Sequence, residues 1–79
     1  MPTALRDGPY RFFFYASDCS EPPDIHVESD DNIAKFWLLP IRLASSGGFP
    51  RAEITRMQRI VMEHQFELKE AWDAYCQQD

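Results

Sequence analysis

Basic residues are scarce in this 79-residue chain: eight Lys and Arg stand against thirteen Asp and Glu, for a net charge of −5. The deficit is shared, −3 over residues 1–50 and −2 over residues 51–79. Nucleic-acid binding rests largely on cations that neutralise phosphates, so the isolated chain is not expected to bind nucleic acid. Arg51, Arg56 and Arg59 are grouped, but on a helix Arg51 points away from Arg56. Long apolar runs are also missing. The longest, Phe12 to Ala16 and Phe36 to Ile41, are strand-sized, well short of the roughly 18–20 residues that span a membrane. No leader peptide is expected ahead of the domain.

Cysteine is nearly absent. Cys19 and Cys76 form no CxxC pair and lie far apart in the chain, a usage that fits the reducing cytoplasm with both thiols free. Phosphate- and dinucleotide-binding glycine motifs are missing, as are GxSxG and HExxH. No cofactor is expected. A Cys–His dyad is conceivable only between Cys19 and His26, with Asp24 as the sole orienting group.

Aromatic residues, by contrast, are plentiful: six Phe, three Tyr and two Trp. A chain this short buries only about 60–65% of its unfolded surface. Each buried ring removes about 150–250 Å² from water, and association offers a second source of stability.

The pattern predicts one α+β domain over residues 1–79, with a small antiparallel sheet of 3–5 strands (1–44), a loop (45–49) and a long amphipathic helical segment (50–77). Thr3 to Arg6, Asp7-Gly8 and Tyr10 to Ala16 read as a hairpin, with Pro9 keeping the first strand short or at an edge. Tyr10 to Tyr15 carries rings on both faces, which predicts a central strand covered on both sides. Asp24 to Ser29 alternates, Ile25 and Val27 facing one way and Asp24, His26 and Glu28 the other. Asp30 to Asn32 is a turn. Ile33 to Leu39 is the next strand, ended by Pro40, and Ile41 to Ala44 extends the sheet.

In the helical segment Pro50 suits the first turn. Ile54, Met57, Val61, Leu68, Trp72 and Tyr75 form one stripe. His64 falls within that stripe, as a hydrogen-bonded core residue. Met62 and Phe66 lie on a different face, so either the helix breaks near 64–66 or these two face a second surface.

Asp24, His26 and Glu28 are the most suggestive constellation, a weak metal set or an acid–base cluster with Asp18 or Glu21 nearby. The simpler reading is a polar, solvent-facing strand. Zinc asks for three or four ligands in closed geometry, and two or three are in sight. Glu21-Pro22-Pro23 is stiff and extended, a connector or a recognition loop. Lys35 shares a face with Trp37 and can stack on the indole; it is either catalytic or a cross-strand charge partner. Arg11 and Arg42 can clamp a phosphate or carboxylate, or pair with one of the acids.

GPYRFFFY, EPPDIHV, AKFWL and the terminal W-x-x-Y together resemble the small prokaryotic domain-of-unknown-function family 4160, over essentially the whole chain. The resemblance implies a component of a two-gene, toxin–antitoxin-like module, encoded beside another small protein. It also marks two departures: Asp24 stands where the family usually has the first His of His-x-His, and Pro50 where it tends to have a capping Ser or Thr.

The expectation is therefore a cytoplasmic interaction protein, the toxin-like partner in such a module. It binds a small protein encoded nearby, a second copy of itself, or both, with Met62 and Phe66 or a sheet edge at the interface. If it is an enzyme, it is a metal- or acid/base-dependent nuclease using Asp24, His26 and Lys35. A further alternative is an antitoxin or regulator that binds nucleic acid only in complex.

Overall fold

The computed structural model describes residues 3–15 and 19–76. Five strands, β1 (Thr3–Asp7), β2 (Tyr10–Phe13), β3 (Asp24–Ser29), β4 (Asn32–Leu38) and β5 (Ile41–Ser45), precede two helices, α1 (Arg51–Glu63) and α2 (Gln65–Cys76). Every strand pairs antiparallel with its neighbour in the chain, giving one sheet in the order β1-β2-β3-β4-β5. Three of the four connections are two-residue turns, which leave the strands they join no reach to pair elsewhere; β2 and β3 are joined by the longer segment 14–23.

Turn chemistry sets three of the connections. Asp7 pairs with Tyr10, so Gly8 and Pro9 form the first turn, one residue later than Asp7-Gly8 suggests; Gly8 takes a φ of 59°. Ser29 pairs with Asn32 around Asp30 and Asp31, with Asp30 at a φ of 55°. Leu38 pairs with Ile41 around a cis Leu39–Pro40 bond, so Ile41–Ser45 is a strand in its own right. In the next loop Gly47 has a φ of 59°, and a Cβ there would lie 1.7 Å from the Ile33 carbonyl oxygen. Only glycine fits that approach.

The core lies between one sheet face and the helices. Tyr10, Phe12 and Phe14 from the β2 region, Ile25, Val27, Ala34, Phe36 and Leu38 from the central strands, and Ile54, Met57, Val61, Leu68 and Trp72 from the helices are all buried. Phe14 lies edge-on to Trp72 at 5.6 Å and stacks on Tyr75 at 5.9 Å, anchoring α2 to the sheet. The Tyr10 hydroxyl donates to Glu53 Oε1 at 2.9 Å and so ties β2 to α1. Burial, followed by the Glu53 hydrogen bond, raises the Tyr10 pKa above its ordinary value.

The helical segment does break, at His64, whose φ of −112° ends α1. Pro50 sits at the N-cap, one residue before the first turn. His64 is half-buried, its Nδ1 lying 3.0 Å from Glu67 Oε1, so it serves the hinge and not the core. The other correction is covalent. Cys19 and Cys76 form a disulfide, their Cα atoms 5.5 Å apart. Neither thiol is free, and the argument for a reducing compartment falls with them. No helix among the described residues is long and apolar enough to cross a membrane.

Candidate functional site

The sheet face turned away from the helices carries the polar candidates. The register Phe13↔His26↔Lys35 and the neighbouring pairs Asp24↔Trp37 and Arg11↔Glu28 place these side chains in adjacent rows of that face. Period-two alternation on three strands thus assembles what lies scattered in sequence.

Asp24 is fully buried at the start of β3. Its Oδ1 lies 3.9 Å from His26 Nδ1 and its Oδ2 lies 3.7 Å from Lys35 Nζ. Lys35 Nζ also donates to Glu21 Oε1 at 2.9 Å. That hydrogen bond, ahead of the other influences, holds the Glu21 carboxyl below its ordinary pKa. The Lys35 ammonium sits 4.4 Å from the centre of the Trp37 ring. Tyr15 meets the His26 ring edge-on at 4.5 Å, and Phe13 lies tilted against it at 5.6 Å.

The second charged pair flanks this cluster. Arg11 hydrogen-bonds Glu28 through Nη1, donates from Nε to Thr3 Oγ1 at 2.8 Å, and lies over the Phe13 ring at 4.6 Å. The structure therefore joins Glu21, Asp24, His26 and Lys35 but turns Glu28 aside to Arg11. Among the described residues no three His, Cys, Asp or Glu side chains converge as a metal set. Asp18 lies outside the described residues. Cys19, held in the disulfide, offers no thiol to a Cys–His dyad.

Arg42 is exposed on β5 across from Trp37, and Met62 and Phe66 are exposed on either side of the hinge. The aromatic brackets around His26 are the residues that sequence reasoning passed over. The signal was present in the rings on both faces of Tyr10 to Tyr15. The expected cover on the second face is built from Tyr15, Arg11 and His26 themselves, not from another layer.

Chemically, the cluster sets a buried carboxylate 3.9 Å from an imidazole nitrogen, a pairing of residue types used in proton transfer. Its lysine is held by two carboxylates and its neighbouring arginine by a third. The face therefore offers little uncompensated positive charge to a phosphate.

No curated protein and no solved structure matches this chain. The family model described as "Domain of unknown function (DUF4160)" matches residues 10–73, which takes in every strand but the first, the whole candidate cluster and most of both helices. On that match the chain belongs to the DUF4160 family.

Proposed function

We propose that the protein is an interaction component, the toxin-like member of a two-gene module, and that it binds a small protein encoded beside it. The observation that carries this reading is the apolar ridge at the helix hinge. Phe66 is 82% exposed and Met62 52% exposed. Next to Met62 an open groove of ≈ 530 Å³ runs along α1 between Thr55, Gln58, Arg59 and Glu63. Fully burying a Phe or Met side chain gains about 1.5–3 kcal/mol over leaving it in water. A ridge of two such residues is a surface suited to receive an apolar segment of a partner. The break at His64 supplies it, because α1 and α2 can each face the core while the residues beside the break point outward.

Co-expression with the neighbouring gene, followed by mass measurement in light scattering, tests the proposal. A complex is expected for the wild type, and its loss for Met62→Glu/Phe66→Glu with the thermal midpoint unchanged. A variant complex of the same mass and affinity overturns the ridge.

A second reading is favoured by the buried Asp24 beside His26. Here the domain acts on RNA through acid–base chemistry, with His26 as the proton-transfer group. Growth after induction of the protein alone, beside His26→Ala at matched expression, separates the two. Arrest by the wild type only supports chemistry at His26. Arrest by both favours binding, and arrest by neither overturns an autonomous toxin-like role and leaves a partner-dependent or antitoxin one.

A further inference from the structure

At the β4–β5 turn, Pro22, Trp37, Leu39, Pro40 and Arg42 line a cavity of ≈ 180 Å³. Its walls are fixed from several sides. Pro22 and Pro23 restrict their own backbone, and the Leu38 N–H donates to the Pro23 carbonyl at 2.9 Å. The Glu21–Lys35 ion pair and the Lys35–Trp37 stack hold the same segment against β4. Trp37 and Arg42 are directly opposed across β4 and β5, so their side chains share one face. Among the described residues no carboxylate lies within ion-pair distance of Arg42. The result is a stiff apolar recess with an uncommitted guanidinium at its rim.

Size selects the occupant. Pockets for whole small molecules run to about 300–1,000 Å³, so this recess is too small for a nucleotide yet large enough for one apolar side chain. Among the described residues β5 is also the last strand of the sheet, and no strand pairs with its outer edge. Leu39 and Leu43, 61% and 40% exposed, lie in the turn before it and within it. An open edge of this kind pairs readily with an extended segment.

We infer that the β5 edge and the recess together dock the extended C-terminal end of a protein partner. The partner's backbone adds beside Ile41–Ser45, its last apolar side chain enters the recess, and its terminal carboxylate binds Arg42. A chain end fits because one residue presents both the apolar group and the carboxylate, matching the recess and the guanidinium beside it. None of the hinge-ridge residues takes part, so this inference and the ridge can fail separately.

Amide NMR titration with acetyl-Lys-Thr-Thr-Val-Leu, bearing a free carboxylate, tests it. Shifts are expected at the Trp37 indole and along the β5 amides. Affinity is expected to fall about tenfold for the C-terminally amidated peptide and for Arg42→Gln, the loss of one charge-assisted contact. Arg42 is exposed, so Arg42→Gln should keep the wild-type spectrum elsewhere. Equal binding of the amidated peptide overturns the role of Arg42. N-acetylleucine binding as tightly as the peptide, without β5 shifts, overturns strand addition. No perturbation at millimolar peptide overturns the site.

Discussion

Replacing both cysteines, Cys19→Ser/Cys76→Ser, should lower the thermal midpoint steeply. The bridge joins residues 57 apart in sequence, so it closes a loop of most of the chain. In the chain-entropy treatment a loop of that length removes about 14 cal/mol/K from the unfolded ensemble, or about 4 kcal/mol at 25 °C. A domain of this size has a total stability of about 4–12 kcal/mol, so the bridge supplies a third or more of it. At about 2.1 cal/mol/K per residue, unfolding 79 residues carries about 0.17 kcal/mol/K. The midpoint should then fall by about 25 °C, and by at least about 10 °C if the unfolded chain keeps residual structure.

The assay is a circular-dichroism melt of the oxidised wild type, the reduced wild type and the double variant. Thiol counting on unreduced, denatured protein runs alongside it. The reduced protein and the double variant should coincide, and the oxidised protein should titrate no thiol. Two free thiols in the unreduced protein would refute the pairing. A bridge that forms but shifts the midpoint by under about 3 °C refutes the entropy argument instead, because the unfolded chain is then already constrained.

Two more changes follow from the geometry. Gly47→Ala should destabilise by more than about 3 kcal/mol in denaturant titration, since a Cβ 1.7 Å from the Ile33 carbonyl oxygen forces backbone to move; a loss below about 1 kcal/mol would show that the loop relocates freely. The Glu21 carboxyl should titrate below its ordinary value of 4.5 in carbon-detected NMR, chiefly because Lys35 hydrogen-bonds it. Its lowered folded pKa makes its contribution to stability present above the unfolded pKa and lost as pH falls through the folded one. Lys35→Met should return the midpoint upward, and an unmoved midpoint contradicts the pair.

Where sequence reasoning reached the structure, it did so through periodicity. The alternation of Asp24 to Ser29 placed Ile25 and Val27 in the core and the polar set on the other face, as found. The Lys35–Trp37 stack followed from the same period. The helix stripe marked Ile54, Met57, Val61, Leu68 and Trp72, but it missed the buried Ile60 and took in Tyr75, which is half-buried. The off-stripe pair Met62 and Phe66 left a break or a second surface open, and the helix breaks with both residues exposed. What local patterns could not carry was contact between distant segments. Nothing near Cys19 announces Cys76, because their proximity exists only after α2 folds back along β2 through Phe14 and Tyr75. The burial of Asp24 was equally hidden, since a strand-end carboxylate reads as solvated until His26 and Lys35 converge on it.

Where the charged groups find their partners also bears on the choice between the two proposed readings, binding and chemistry. A phosphodiester-cleaving site needs positive charge held ready for the developing anion. On the outer sheet face Lys35 lies between Glu21 and Asp24, and Arg11 is engaged by Glu28 and Thr3. An incoming phosphate would have to displace carboxylates in a chain that already carries −5. The rings meanwhile pack on His26, Arg11 and Lys35, which rigidifies the face. The surfaces left uncommitted are elsewhere: the apolar ridge at the hinge, and Arg42 beside a recess on an open strand edge. Both match the chemistry of another polypeptide better than that of a nucleic acid, one through apolar area and the other through a single guanidinium next to unpaired backbone. The buried cluster then acts as the brace that holds the Glu21–Pro23 segment and β4 in place, and with them the recess.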